Sequence, residues 1–262
     1  MRLLHFVLIS GDRLPAFPAQ WGEPPKVPHG LGKGVASALY SDVGANFYTK
    51  CGPGIGPQAG KRAWITRDAL STIWSASASP SDGQGDVEWI GNEELDDVWK
   101  ADAELMKEET RSAGRPVEAK MAFCFLPHGG VARFLYERAK MFVPPSWKSN
   151  RWGARVPAAL SGNKLEFVTW MLDPGRTGPS TLVITRLRAD TETFPPLLNA
   201  VVTVARELEL EQVEVWNLPT ELKEVGERLG GVTRERKDHL PSLSWFGEGD
   251  VQWCWNEKFS WC

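Results

Sequence analysis

Cysteine is scarce in this chain of 262 residues, and Cys51, Cys124, Cys254 and Cys262 form no Cys-x-x-Cys motif. That spacing fits a reducing compartment better than a disulfide scaffold. Cys254 and Cys262, both in a Trp-rich tail, also lack the close ligand spacing of a zinc site. Histidine is equally sparse. His5, His29 and His239 have no Cys or His companion at ligand spacing, so no metal is expected. There is no Gly-x-Ser-x-Gly, no Walker loop and no local Cys–His arrangement. Charge of one sign is missing too: 30 basic residues stand against 33 acidic ones, a net charge of −3. This balance carries no nucleic-acid footprint and no attraction to an anionic membrane surface. Long apolar runs are absent. Met1–Ile9 is apolar but stops at Ser10-Gly-Asp-Arg13, well short of the ~20 residues that span a bilayer. It also lacks a small-residue cleavage site. The expectation is a cytoplasmic protein with neither membrane nor nucleic acid as partner.

What is present is tryptophan, 13 of them, which suits large packed surfaces and pocket walls. The length allows one large or two small domains. Leu3, Leu4, Val7 and Leu8 recur at spacings of three and four, so residues 1–9 read as the end of a helix. Residues 10–34 form a Pro/Gly-rich loop, and Ser75–Gly85 is small, polar and linker-like. Short strands are expected at Ala63–Thr66 and Ser71–Trp74. A helix is expected over Asn92–Arg111, capped by Asn92, with Leu95, Val98, Trp99, Leu105 and Met106 inward and its charges on a solvated face. A second is expected over Val131–Phe142, with Phe134, Leu135, Met141 and Phe142 buried, ended by Pro144-Pro145. From Lys164 the pattern is regular. Strands Lys164–Leu172 and Thr181–Arg188 are followed by a helix over Thr193–Leu210 capped by Thr193. A strand at Val213–Trp216, a helix over Pro219–Leu229 closed by Gly230-Gly231, and strands at Ser242–Phe246 and Val251–Trp255 complete it. This order predicts an α/β, or mixed α+β, layer architecture.

The stretch from Ala36 to Gly52 reads as a strand ending at Ser41–Asp42, then a short helix with Phe47 and Tyr48, then a glycine stop. A polar strand end followed by Phe-Tyr-x-x-x-Gly resembles the GNAT acetyltransferases. With Leu39–Gly44, Phe47–Pro53 and the tail Trp255–Cys262, the chain is similar to the fungal lysine N6-acetyltransferase-like proteins. The resemblance implies a tandem GNAT-like architecture, truncated at its N-terminus. Residues 1–74 would be the remnant of a first domain, 75–115 a linker and helix, and 116–262 a complete C-terminal GNAT-like domain. It implies acetyl-CoA as co-substrate, no metal, and a small-molecule amine such as lysine as acceptor. Tyr48 would protonate the departing thiolate, and Ser41, Asp42 and Phe47 would hold the cofactor. The family's pyrophosphate loop would precede Met1–Leu8, so binding of acetyl-CoA by this chain is doubtful.

Physical chemistry leaves alternatives beside each role. A phenol of reference pKa ~10 matches a thiol closely enough to protonate its thiolate; Tyr48 equally suits simple packing beside Phe47. Ser41 or Asp42 can cap the following helix. Gly30–Gly34 has the composition of an anion loop but leads into a strand, and Gly52–Gly56 reads as a helix stop. The general base is open: Glu88, Glu93 and Glu94 lack support, and His128 suits capping as well as proton transfer. Two functions therefore stand side by side. One is an acetyl-CoA-dependent N-acetyltransferase acting on an amine such as the lysine ε-amine. The other is an inactive GNAT-like binding or structural protein, or an incomplete gene model.

Overall fold

A computed structural model describes residues 6–7, 36–48, 64–77, 85–112, 119–147, 149–175, 178–245 and 250–261. The Pro/Gly loop 10–34, the glycine stop after Tyr48 and most of the linker-like stretch lie outside these residues. In chain order the strands are β1 (Phe6–Val7), β2 (Ala36–Ser41), β3 (Ile65–Thr66), β4 (Leu70–Ser75), β5 (Glu88–Ile90), β6 (Ala119–Phe123), β7 (Gly153–Arg155), β8 (Phe167–Asp173), β9 (Thr181–Arg188), β10 (Gln212–Trp216), β11 (Val232–Glu235), β12 (Leu240–Trp245) and β13 (Asp250–Trp253). The helices are α1 (Ala45–Tyr48), α2 (Leu95–Ser112), α3 (Val131–Lys140), α4 (Phe194–Glu207) and α5 (Lys223–Arg228), with single 3-10 turns at Thr220–Leu222 and Lys258–Ser260. The mixed α/β class expected from the element order is what forms.

Two compact units divide the chain, and both are discontinuous in sequence. The first is Met1–Ala69, Gly114–Phe123 and Arg236–Cys254; the second is Leu70–Ala113, Cys124–Glu235 and Trp255–Cys262.

The first unit holds an antiparallel sheet in the order β1-β2-β12-β3 and a parallel pair of β6 with β13. β2 buries every second residue, Ser37, Leu39 and Ser41, the period-two signature of a sheet with one packed face. At Phe6–Val7, the described part of residues 1–9, a strand replaces the expected helix: Phe6 lies opposite Ala38 and Val7 opposite Ser37. Two or three apolar coincidences at helical spacing do not outweigh a sheet edge that offers backbone partners to a Phe-Val pair.

The second unit is built on a seven-stranded sheet in the order β11-β4-β10-β9-β8-β7-β5. Only β9 and β10 run parallel, joined by α4. β8 and β9 are buried along almost their whole length, as strands covered on both faces must be. Trp170, Leu172, Leu182 and Ile184 join one large core with α4, whereas Met171 and Val183 pack with Leu135 and Ala139 of α3. Each large side chain so buried contributes about 1.5–3 kcal/mol. The β8–β9 register shifts between Thr169 and Trp170, a bulge that brings the Thr169 and Thr185 hydroxyls within 3.0 Å in the buried sheet.

The helices depart from the sequence reading in detail. α2 buries Leu95, Val98, Trp99, Asp102 and Met106, while Leu105, expected inward, is exposed. α3 buries Ala132, Leu135, Tyr136 and Ala139; Phe134, Met141 and Phe142, expected inward, are exposed. The true stripe falls at i, i+3, i+4 and i+7, and Met141 and Phe142 lie beyond the last helical residue. The start of α4 is organised by Asp190, not by a Thr193 cap. One Asp190 carboxylate oxygen accepts the N–H groups of Glu192 at 2.9 Å and Thr193 at 3.0 Å, and the Thr193 hydroxyl at 3.1 Å. Pro195 and Pro196 follow in the first turn, where a missing N–H is tolerated.

Gly153 in β7 is sterically required. A Cβ there would lie 2.7 Å from the Val168 carbonyl oxygen, whereas one on Gly178 meets nothing within 4 Å. Gly153→Ala is expected to destabilise the fold by about 1–3 kcal/mol and Gly178→Ala by under about 0.5 kcal/mol, read as denaturant midpoints. Equal midpoints for the two variants would contradict the close approach of β7 to β8.

Candidate functional site

At the end of β2 the chain turns sharply. The buried Ser41 hydroxyl accepts the Val43 N–H at 3.2 Å and donates to the Gly44 carbonyl at 3.5 Å. Gly44 has a φ of 83, a left-handed conformation that glycine adopts without strain. The turn delivers α1, whose four residues are too few for a helix stable by itself. Packing holds it in place: α1 lies against β12 and β3. Tyr48 is buried, its ring edge-on to Phe47 at 5.0 Å and to Trp64 at 6.2 Å. Phe47 is 54% exposed and presents its ring beside the turn. Among the described residues, no atom comes within 4 Å of where a Cβ on Gly44 would stand.

Asp42, the next residue after β2, reaches across to the residue that precedes β12. Its Oδ1 accepts the backbone N–H of His239 at 2.9 Å and stands 2.7 Å from the His239 Nδ1. The register makes this local, because Leu240 lies directly opposite Ser41. Thus Ser41, Asp42, Phe47 and Tyr48 gather at one end of the β2–β12 pair, and His239 joins them. Of the two capping candidates, Ser41 takes the turn N–H; the Asp42 carboxylate is turned to His239. No spacing rule pairs positions so far apart in sequence, which is why His239 was read only as a histidine without ligand companions.

The remaining candidates lie in the second unit. Glu88 and Glu94 both pair with Arg155, at 2.8 and 3.4 Å. Glu94 also accepts the Gly91 N–H at 3.0 Å, the backward half of a capping box at the start of α2. Glu93 stands in the same turn. His128 sits in the turn that enters α3, where Gly129 and Gly130 have φ of 69 and 96. Among the described residues no cluster of His, Cys, Asp and Glu is placed to hold a metal ion, and no helix is long and apolar enough to cross a membrane.

The second unit carries a buried charge cluster that the sequence pattern did not reveal. Asp102, fully buried on the inward stripe of α2, receives Arg186 in a two-pronged contact, Nε at 2.7 Å and Nη2 at 3.0 Å. Arg188 adds its Nε at 2.7 Å and pairs with Glu109 at 2.5 Å. Arg186 also donates to Glu257 at 2.5 Å, and the other Glu257 oxygen accepts the Leu187 N–H at 3.0 Å. This last contact has a topological cause. β9 and β10 pair from Thr181 opposite Gln212 only as far as Ile184 opposite Val215, while β9 continues to Arg188. Where the strands part, the tail Trp255–Trp261 supplies the partners. The Asn217 amide donates to the Asn256 carbonyl at 2.5 Å. The buried Lys258 ammonium lies 4.1 Å from the Trp216 ring centroid and 4.0 Å from that of Trp261, a cation–π contact on both sides.

Burial acts to raise the Asp102 carboxyl, but Arg186 and Arg188 outweigh it and hold it below the ordinary carboxylate value.

Residues 71–262 match the family model described as the LYC1 GNAT-like C-terminal domain. The chain belongs to this family. A GNAT-like domain goes with acetyl-CoA-dependent acetyl transfer in general terms. The match begins in β4 and covers nearly all of the second unit together with Gly114–Phe123 and Arg236–Cys254 of the first, so it takes in His239 and leaves Ser41–Tyr48 ahead of it. No curated protein and no solved structure matches the chain.

Because the folded Asp102 carboxyl is depressed, its stabilising effect is present above its unfolded value of about 3.9 and is lost as pH falls through the folded value. Asp102→Asn is expected to lower stability at pH 7 by about 3–5 kcal/mol, since it leaves buried guanidinium charge uncompensated, and to flatten the acid limb. Urea denaturation of both proteins between pH 7 and pH 3 checks this. Parallel stability profiles would remove Asp102 as the acid-sensitive group.

Proposed function

We propose that this chain is an acetyl-CoA-dependent N-acetyltransferase whose acceptor is a small-molecule amine, the ε-amine of lysine. Membership of the LYC1 GNAT-like family over most of the chain carries this reading. The gathering of Ser41, Asp42, Phe47 and Tyr48 at one strand end supports the placement of the site. The residues present suit the thioester end of acetyl-CoA. The exposed Phe47 ring offers an apolar face, and among the described residues nothing crowds the backbone at Gly44.

In the reaction the neutral amine nitrogen attacks the acetyl carbonyl carbon. A C–N bond forms, the C–S bond breaks, and the sulfur departs as a thiolate. Tyr48 gives that sulfur its phenolic proton, and water takes the proton that the amine nitrogen loses as the C–N bond forms. Its ring, fixed between Phe47 and Trp64, holds the hydroxyl without further reorganisation, so the donation acts on the transition state rather than on binding.

The test is thiol release from acetyl-CoA with lysine and a panel of other amines. Lysine-dependent release is expected. Tyr48→Phe keeps the ring and removes the proton, so turnover should fall ~10²-fold or more with acetyl-CoA affinity little changed. Absence of amine-dependent release from the wild-type chain would overturn the activity. An unchanged Tyr48→Phe turnover, with chemistry rate-limiting, would return Tyr48 to packing alone.

A further inference from the structure

We propose that Glu166 and Asp190 share a proton at the entrance to α4 and form a pH-sensitive latch, closed while Glu166 is protonated and loosened when it ionises. The topology brings the two together. Phe167 of β8 lies opposite Arg188 of β9, so Glu166, one residue before β8, meets the turn after β9 that carries Asp190. The Glu166 carbonyl accepts the Val156 N–H at 3.0 Å, which fixes its backbone from the β7 side. The residue is 5% exposed, and its side-chain Oε2 is sealed from water with no hydrogen-bond partner among the described residues. A charged carboxylate oxygen in that position is costly.

Donors are too few for two carboxylates. One Asp190 oxygen takes the N–H groups of Glu192 and Thr193 and the Thr193 hydroxyl. That hydroxyl also meets the Glu166 carboxyl, but it has one proton and serves one carboxylate, not both. Its oxygen is itself engaged by the Asp190 N–H at 3.0 Å. Lys164 brings positive charge, yet its Nζ is 4.0 Å from the other Asp190 oxygen and its side chain is 71% exposed, so water screens it. Glu192, in the same turn, is exposed. The neighbouring arginines are committed elsewhere, Arg155 of β7 to Glu88 and Glu94, and Arg188 of β9 to Asp102 and Glu109. A proton on Glu166 supplies the missing donor and aims it at Asp190. Burial and the Asp190 charge raise the Glu166 carboxyl above its ordinary value, against the opposing pull of the Thr193 hydroxyl and Lys164. Burial acts to raise Asp190 as well, but the Thr193 and Glu192 N–H groups and the Thr193 and Glu166 side chains hold it below the ordinary value. The shared environment thus pushes two adjacent carboxyls apart, one towards the protonated form and one towards the ionised form. Ionisation of Glu166 sets a second negative charge against the carboxylate that holds the first N–H groups of α4, the crossover between the parallel strands β9 and β10. Because the folded Glu166 value is raised, its stabilising effect is present below the unfolded value of about 4.3 and is lost as pH rises through the folded value. This is the opposite sense to Asp102.

Carboxyl carbon NMR of the full wild-type chain tests this directly. Glu166 should titrate above about 4.3 and Asp190 below about 3.9. Hydrogen exchange supplies the mechanical readout. Protection of the Glu192 and Thr193 amides, corrected for intrinsic base catalysis, should fall as pH rises above about 4.3, by up to about tenfold per pH unit until the folded Glu166 value is passed. Glu166→Gln keeps the shape and gives Asp190 a permanent N–H donor. In that variant the protection should stay level over the same range, and the urea midpoint at pH 8 should exceed that of the wild type. A Glu166 midpoint at or below the ordinary glutamate value would overturn the shared proton, and it is read on the wild type even where the variant fails to fold. Wild-type protection that stays level with pH, or falls equally in Glu166→Gln, would overturn the latch.

Discussion

Arg186 carries a permanent charge that is sealed from water, and the second unit is arranged around satisfying it. A lone guanidinium in such a place would be untenable, because desolvation of an unpaired ion costs several kcal/mol. Two carboxylates far apart in the sequence solve the problem: Asp102 takes the forked face and Glu257 the third nitrogen. Each partner fixes something else. Asp102 sets the rotation of α2 about its axis, since only one face can present it to β9. Glu257 brings the tail to the place where β9 and β10 part and gives the Leu187 N–H the acceptor that no strand provides.

Such a cluster is weak evidence for net stability, because apolar residues of the same volume would often serve as well. Its strength is specificity. An α2 rotated by one residue, or a tail shifted by one, would leave charge without a partner, whereas a purely apolar contact would tolerate either slip. The Lys258 ammonium between Trp216 and Trp261 works in the same direction, because a cation needs its two rings at a definite place along the tail.

Much of the fold was legible because periodicity is local. The strand ending at Ser41, the short helix with Tyr48, the strand Thr181–Arg188 and the α4 crossover all announce themselves within a window of a few residues. What escaped depends on partners distant in sequence. Asp102 looked like one more charge on a solvated face of α2, because the group that draws it inward is on β9. Phe134 and Met141 looked like core because they are large, yet the sheet meets α3 along Ala132, Leu135, Tyr136 and Ala139. Phe6 and Val7 fitted a helix by count and a strand by partner. At the candidate site, the residues within one stretch, Ser41 to Tyr48, were found together. His239 was not joined to Asp42, because only the β2–β12 register places them side by side.

The start of α4 has a meaning for charge that its secondary structure alone does not convey. A helix beginning normally offers unpaired N–H groups and a positive dipole end to passing anions. Here the N–H groups of Glu192 and Thr193 already point at the Asp190 carboxylate, Phe194 donates to the Asp190 carbonyl, and Pro195 and Pro196 have none to give. A phosphate arriving at this crossover would meet a carboxylate and a ring pair in place of a cradle. The parallel strands and their connecting helix thus keep the outline of an anion-binding crossover while presenting an end that is electrically closed.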